Sequence, residues 1–255
     1  MNSEIYSIIL ASFAAAAAGL VGAFALMKKT ILAGDVMSHV AIPGLGIAII
    51  WNLNPLLGGA ATLILGALII WQLEKKTSLS AEASIGVIFA SSVALGALLI
   101  NSKEELMDAL FGGFGNLSVG EFWFGVAISI FIIAALWKLR NKLIIGLFSQ
   151  ELAASTNIKT SAVNLWFLIL FALAILAGLR FLGALLAGAL IIIPASAARQ
   201  VTHTLSRFLA CSILFSVLSV LLGFAISSVY GLQLGPTVVV IAAGIFVLSL
   251  FRKKT

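Results

Sequence analysis

The sequence predicts an all-α, polytopic transmembrane helical bundle of about nine spans, within a range of eight to ten, and three observations carry that expectation. The chain is 62% hydrophobic and 9% charged, with a mean hydropathy of +1.21, whereas soluble proteins carry roughly 25% charged residues. Its apolar residues form successive runs near the length of about 20 that a helix needs to cross a hydrocarbon core about 30 Å thick. Its basic residues lie between those runs and not along one amphipathic face, so the formal charge of +6 speaks for membrane orientation and against nucleic acid. No linker, Pro-rich stretch or charge run divides the chain, and one transmembrane domain over residues 1–255 is expected.

Each span follows from its own run. The first, 5–27, is preceded by Glu4 and followed by Lys28 and Lys29; this is not the basic start of a secretory signal, so it is expected to remain as a helix. The second, 30–51, carries the polar residues discussed below, and the tight connection 52–54 leads to the third, 55–73, closed by Lys75 and Lys76. The fourth, 83–100, ends before Lys103, Glu104, Glu105 and Asp108, and the fifth, 120–139, runs into Lys138, Arg140 and Lys142. Only Leu179 and Arg180 part the sixth, 162–178, from the seventh, 181–198, so broken or half-buried helices are expected there. The eighth, 207–229, holds Cys211, the single cysteine, which excludes an intrachain disulfide and reads as an apolar filler. The ninth, 234–251, ends at Arg252, Lys253 and Lys254. With the amino terminus outside and the carboxyl terminus inside, alternation places every Lys and Arg except Lys103 and Arg180 on the inner side. Recurring Gly-Ala-Leu fragments suit close helix packing.

Few residues can carry chemistry. Asp35 and His39, four apart in the second span, share one helix face about 6 Å apart along the axis. Ionisable groups at that depth are costly and point to function by default. Carboxylate oxygen with imidazole nitrogen suits zinc, manganese or ferrous iron better than copper(I), although the pair could equally satisfy neighbouring helices by hydrogen bonding. Pro43 and Gly44 one turn on would kink or gate this helix. The only other aspartate, Asp108, falls in an outer loop, so an aspartyl protease dyad is not available. Asn116-Leu117-Ser118-Val119-Gly120 lacks the first glycine of a nucleophile elbow, and no Gly-Lys dipeptide offers a Walker A loop for ATP. His203 reads as a solvated or headgroup-facing histidine, and Arg180 as a residue that snorkels or attracts lipid phosphate. Residues 149–157 form a short inner stretch of good helix formers, with Ser149 as N-cap and Asn157 as a left-handed terminator, fit for docking or for plain connection.

Four stretches together resemble the zinc and manganese ABC permease family: Gly34-Asp35-Val36-Met37-Ser38-His39 with Pro43-Gly44; Asn54-Pro55; Phe181 to Leu186 continuing through Ile191 to Arg199; and Gly235-Pro236-Thr237. The resemblance covers essentially the whole chain. It implies an ABC importer permease in the cytoplasmic membrane of a prokaryote, paired with a second permease protomer. A separate cytoplasmic ATPase would drive it and an extracytoplasmic metal-binding protein would supply it, with no permanently bound cofactor. It further implies that Asp35 and His39 touch the passing ion, zinc, manganese or iron, and that Gln150, Glu151, Leu152 and Ala153 form the coupling helix to the ATPase. The family's coupling stretch usually closes with glycine where this chain has Thr156-Asn157, and asparagine serves there too. A second reading is a self-sufficient secondary metal transporter, proton-coupled through Asp35 and His39. A membrane metalloenzyme would need three protein ligands and an open position, and one protomer offers two candidates.

Overall fold

With no water in a bilayer core to satisfy free N–H and C=O groups, apolar runs of this length fold as helices that bond their own backbones. The computed structural model describes residues 2–30, 33–77, 81–100, 110, 118–148, 155–156 and 158–251. The helices are α1 (Asn2–Met27), α2 (Ala33–Ile50), α3 (Pro55–Lys76), α4 (Ala81–Leu99), α5 (Val119–Phe148), α6 (Thr160–Val201), α7 (Leu205–Tyr230) and α8 (Leu234–Leu250). Among the described residues, five segments are long and apolar enough to cross a membrane and four shorter apolar ones accompany them, matching the nine expected spans.

Two elements differ from the sequence expectation. The break expected at Leu179 and Arg180 falls instead at Gly183, whose φ of 70° and ψ of 176° divide α6 into two limbs. Leu179 is fully buried and Arg180 is held by an ion pair described below, so the helix continues through both. The positive φ then falls to a glycine, which adopts it without a Cβ penalty. The fifth span does not stop at 139: α5 runs 30 residues to Phe148. Lys and Arg are good helix formers, and the Arg140 guanidinium lies 4.5 Å from the Trp137 ring, so the helix persists where its charges leave the apolar zone.

The helix ends are closed locally. At the end of α1, Lys29 takes φ 58° while Thr30 N donates to Ala25 O at 3.0 Å and Lys29 N to Leu26 O at 3.2 Å. Asn52 does the same for α2 at φ 53°, with Leu53 N donating to Ala48 O at 2.8 Å. Both are Schellman closures made with a residue other than glycine, which spare the terminal carbonyls from facing the membrane unpaired.

At the centre lie α1, buried for most of its length, and α6, which packs on α1, α2, α3, α5, α7 and α8. The outlying helix is α4, which packs on α2 and more lightly on α3. Between helices in lipid there is little hydrophobic drive, so small residues that let backbones meet supply the contact. A Cβ on Gly44 would lie 2.1 Å from Gly58 O, and one on Gly58 would lie 2.0 Å from Gly44 O, so α2 and α3 touch backbone to backbone. A Cβ on Gly22 would likewise lie 2.0 Å from Ile191 O, where α1 crosses the second limb of α6. Ser212 on α7 donates its hydroxyl to Gly19 O at 2.6 Å, tying α7 to α1.

These contacts leave no room for a methyl group. Gly44→Ala is expected to destabilise the bundle by about 1–3 kcal/mol through overpacking, whereas Gly244→Ala, with open space around the added carbon, should be neutral or slightly stabilising. Apparent melting temperatures in detergent decide this, and equal values for the two variants would show that α2 and α3 have slack.

Candidate functional site

Positions 35, 39, 42 and 46 fall on one stripe of α2, because steps of four, three and four residues return to the same face. Contacts further along the helix show what that stripe meets. The His39 ring stands edge-on to the Phe89 ring of α4, with centroids 5.2 Å apart and planes at 81°. A Cβ on Gly96 of α4 would lie 2.6 Å from Ile42 Cγ2, and Gly46 abuts Leu99 and Ile100. Thus α4 covers the stripe, while Gly34 looks toward Phe171, Gly188 and Ile192 of α6 and Gly44 toward α3.

His39 is half-buried, and Ser38 beside it is fully buried with its Oγ 3.5 Å from His39 Nδ1. Asp35 is in the first turn of α2, one turn before His39; its side chain lies outside the described part of the structure. A carboxylate at that register is favoured by the positive end of the helix dipole. α2 stays helical through Pro43, and Gly44 is held in the backbone contact with Gly58. The described part of the stripe, His39, Ile42 and Gly46, therefore lies under α4, and helical register sets position 35 one turn before His39. The expected coupling residues Gln150, Glu151, Leu152 and Ala153 lie outside the described residues. His203 is exposed.

Two polar clusters were not anticipated. Arg180 does not snorkel: it is 9% exposed, and its Nη1 lies 3.0 Å from Glu121 Oε2. Glu121 also accepts from Ser118 N at 3.0 Å while Ser118 Oγ accepts from Glu121 N at 3.2 Å, a reciprocal capping box at the start of α5. Asn54 joins it, donating to Glu121 Oε1 at 3.4 Å and accepting from Leu56 N at 2.9 Å to cap α3. The Ser-x-x-Glu spacing ahead of an apolar run was the sequence signal for this cluster. At the other end, Lys28 Nζ donates to Asn164 Oδ1, and Asn164 Nδ2 donates to Glu74 Oε2 at 2.6 Å, joining α1, α6 and α3. The Lys28 ammonium also lies 4.6 Å from the Phe167 ring centroid. Here the signal was a lone amide, Asn164, one turn into an apolar helix.

The model of the ABC 3 transport family matches residues 3–253. The chain belongs to the ABC 3 transport family. This family member is 33% identical over 239 residues to the high-affinity zinc uptake system membrane protein ZnuB of Haemophilus influenzae, covering 91% of each chain. It is 27% identical over 237 residues to the manganese transport system membrane protein MntC of Halalkalibacterium halodurans, covering 91% of this chain and 81% of that one. Among solved structures it is similar to PsaBC from Streptococcus pneumoniae in complex with Fab, with a TM-score of 0.84 at 25% identity over 97% of this chain and 90% of that one. The all-helical polytopic fold read from the sequence is thus the fold of this ABC 3 family chain.

The cluster at Lys28 has a pH signature. Burial, the larger influence, pushes the Lys28 ammonium down from its ordinary 10.5 to about 8, against the opposing pull of Glu74. Between those two values the folded chain binds fewer protons at Lys28 than the unfolded chain, so stability rises with pH across that window and is least below it. The apparent melting temperature should therefore climb between about pH 7.5 and about pH 9.5 by more in the wild type than in Lys28→Met. Parallel profiles would mean that Lys28 stays charged in the fold.

Proposed function

We propose that this chain is the membrane-spanning permease subunit of an ABC importer for divalent transition-metal ions, zinc or manganese, in the cytoplasmic membrane, with its amino terminus outside and its carboxyl terminus inside. The observation that carries the reading is the stripe of α2 that places Asp35 one turn before the half-buried His39. It is supported by whole-length similarity to proteins named for zinc uptake and manganese transport. An imidazole and a carboxylate are ligands a first-row divalent ion accepts, and a pathway needs a site that an ion can also leave. Among the described residues no group of three or more His, Cys, Asp or Glu side chains converges to hold a metal ion. Water or the same pair on a second permease protomer completes the shell in this reading, two oxygens and two nitrogens meeting on a two-fold axis.

The chain itself hydrolyses no ATP in this proposal; a separate cytoplasmic ATPase docks on the stretch around Gln150, Glu151, Leu152 and Ala153, between α5 and α6. An extracytoplasmic metal-binding protein delivers the ion to the opposite end. Gathering of the basic ends supports the orientation: Lys29 and Arg199 share one cavity, and Lys28 and Lys142 another.

Two measurements test the proposal. Asp35→Asn and His39→Ala are each expected to abolish metal uptake in correctly inserted protein, while Ser38→Ala costs much less; near-normal uptake by both variants would return the pair to a structural role. Purified permease in liposomes should accumulate metal only when the ATPase and ATP are present. Accumulation without them, driven by a proton gradient, would favour a secondary transporter.

A further inference from the structure

At the basic end of the bundle, α5 and α7 both pack on α1 and α6 without substantial contact with each other. The space left there is a cavity of about 470 Å³ bounded by Leu26, Met27 and Lys29 from α1 and its closing turn, Ile144 and Leu147 from α5, Arg199 from α6, and Leu205 and Phe208 from α7. Among the described residues its wall is apolar apart from two cations, with no carboxylate lining it. The Arg199 guanidinium lies 5.9 Å from the Phe208 ring centroid, so its flat face is supported from the α7 side. Both cations are exposed, and neither forms an ion pair among the described residues.

From this arrangement we infer a binding site for one anionic phospholipid of the inner leaflet, its phosphodiester between Lys29 and Arg199 and an acyl chain in the gap between α5 and α7. The chemistry asked of the ligand is amphiphilic. A phosphate satisfies two cations that have no counter-charge among the described residues, and a hydrocarbon chain covers the apolar wall beneath them. The position fits as well, because Lys29 and Arg199 stand at the ends of membrane helices on the side where basic residues collect. Each Lys or Arg near an anionic membrane surface attracts such lipid, and a guanidinium offers two parallel donors to phosphate. A zwitterionic lipid would leave the site with excess positive charge. The inference rests on the chain spanning a membrane and is independent of which ion it carries.

Native mass spectrometry of the full chain, extracted from vesicles of phosphatidylethanolamine and phosphatidylglycerol, reads the site directly. Wild-type protein should retain phosphatidylglycerol in preference to phosphatidylethanolamine, and the double variant Lys29→Gln/Arg199→Gln should lower that retention about tenfold or more. Leu205→Trp, which fills the apolar wall and leaves the charges, should lower it too, while Lys75→Gln on α3 should not. Elution as a single species establishes that each variant is folded. Equal retention by wild type and the double variant overturns the assignment. So does binding of inorganic phosphate alone that the double variant loses with lipid retention unchanged, which would make this a free-phosphate site. Unchanged lipid retention with lost affinity for the ATPase also overturns it and would place the cleft in a protein interface.

Discussion

The architecture hangs on helix backbones that meet with nothing between them. Gly44 and Gly58 bring α2 and α3 into contact at distances no side chain could occupy, and Gly22 does the same for α1 against Ile191 of α6. In a bilayer, burying a leucine against another leucine gains little over burying it in lipid, so these small-residue crossings decide which helices are neighbours. Once one face of α2 is committed to α3 and α6, the remaining face is the one that carries positions 35 and 39, and α4 is the element left to cover it. The placement of the acid–imidazole stripe is thus a by-product of where glycines sit on the opposite side of the same helix.

Charged groups inside such a bundle are costly unless something answers them. At one end Arg180 is answered by Glu121, which simultaneously caps α5 and accepts from Asn54, so α3, α5 and α6 converge on one carboxylate. At the other end Asn164 bridges Lys28 and Glu74, spacing two opposite charges that would otherwise have to meet directly. Both clusters join helices that are distant in sequence. They act as end-ties, whereas the middle of the bundle is held mainly by van der Waals contact, with the buried Ser212 hydroxyl on Gly19 O joining α7 to α1.

The nine apolar runs were legible in the sequence because the bilayer imposes a length on each of them, and the pairing of Asp35 with His39 was legible because helical spacing is fixed by geometry. What lay beyond the sequence was whatever depended on a partner from elsewhere in the chain. Arg180 read as a snorkelling residue because its neighbours in sequence are apolar; its counter-charge is supplied by α5. The break in α6 falls at Gly183, and the buried Leu179 and the paired Arg180 both sit in continuous helix before it. Periodicity likewise gave the stripe on α2 without saying that α4 would cover it, since nothing in a single helix names its neighbour. The over-extension of α5 past residue 139 has a different cause: basic residues end an apolar run without ending a helix.

That over-extension gives α5 a length with a geometric consequence. Its 30 residues span about 45 Å at 1.5 Å per residue, some 15 Å more than a hydrocarbon core of about 30 Å. Its first turn is pinned by Ser118, Asn54 and Arg180 around Glu121, and beyond its last turn the chain enters the segment that precedes α6. A rod of that length converts rotation into displacement: a tilt of about 10° about its capped end would carry the far end through about 8 Å. The ratio depends on length alone, so any angular change at the capped end would reach the point where the chain leaves the membrane as a displacement set by the whole length of α5.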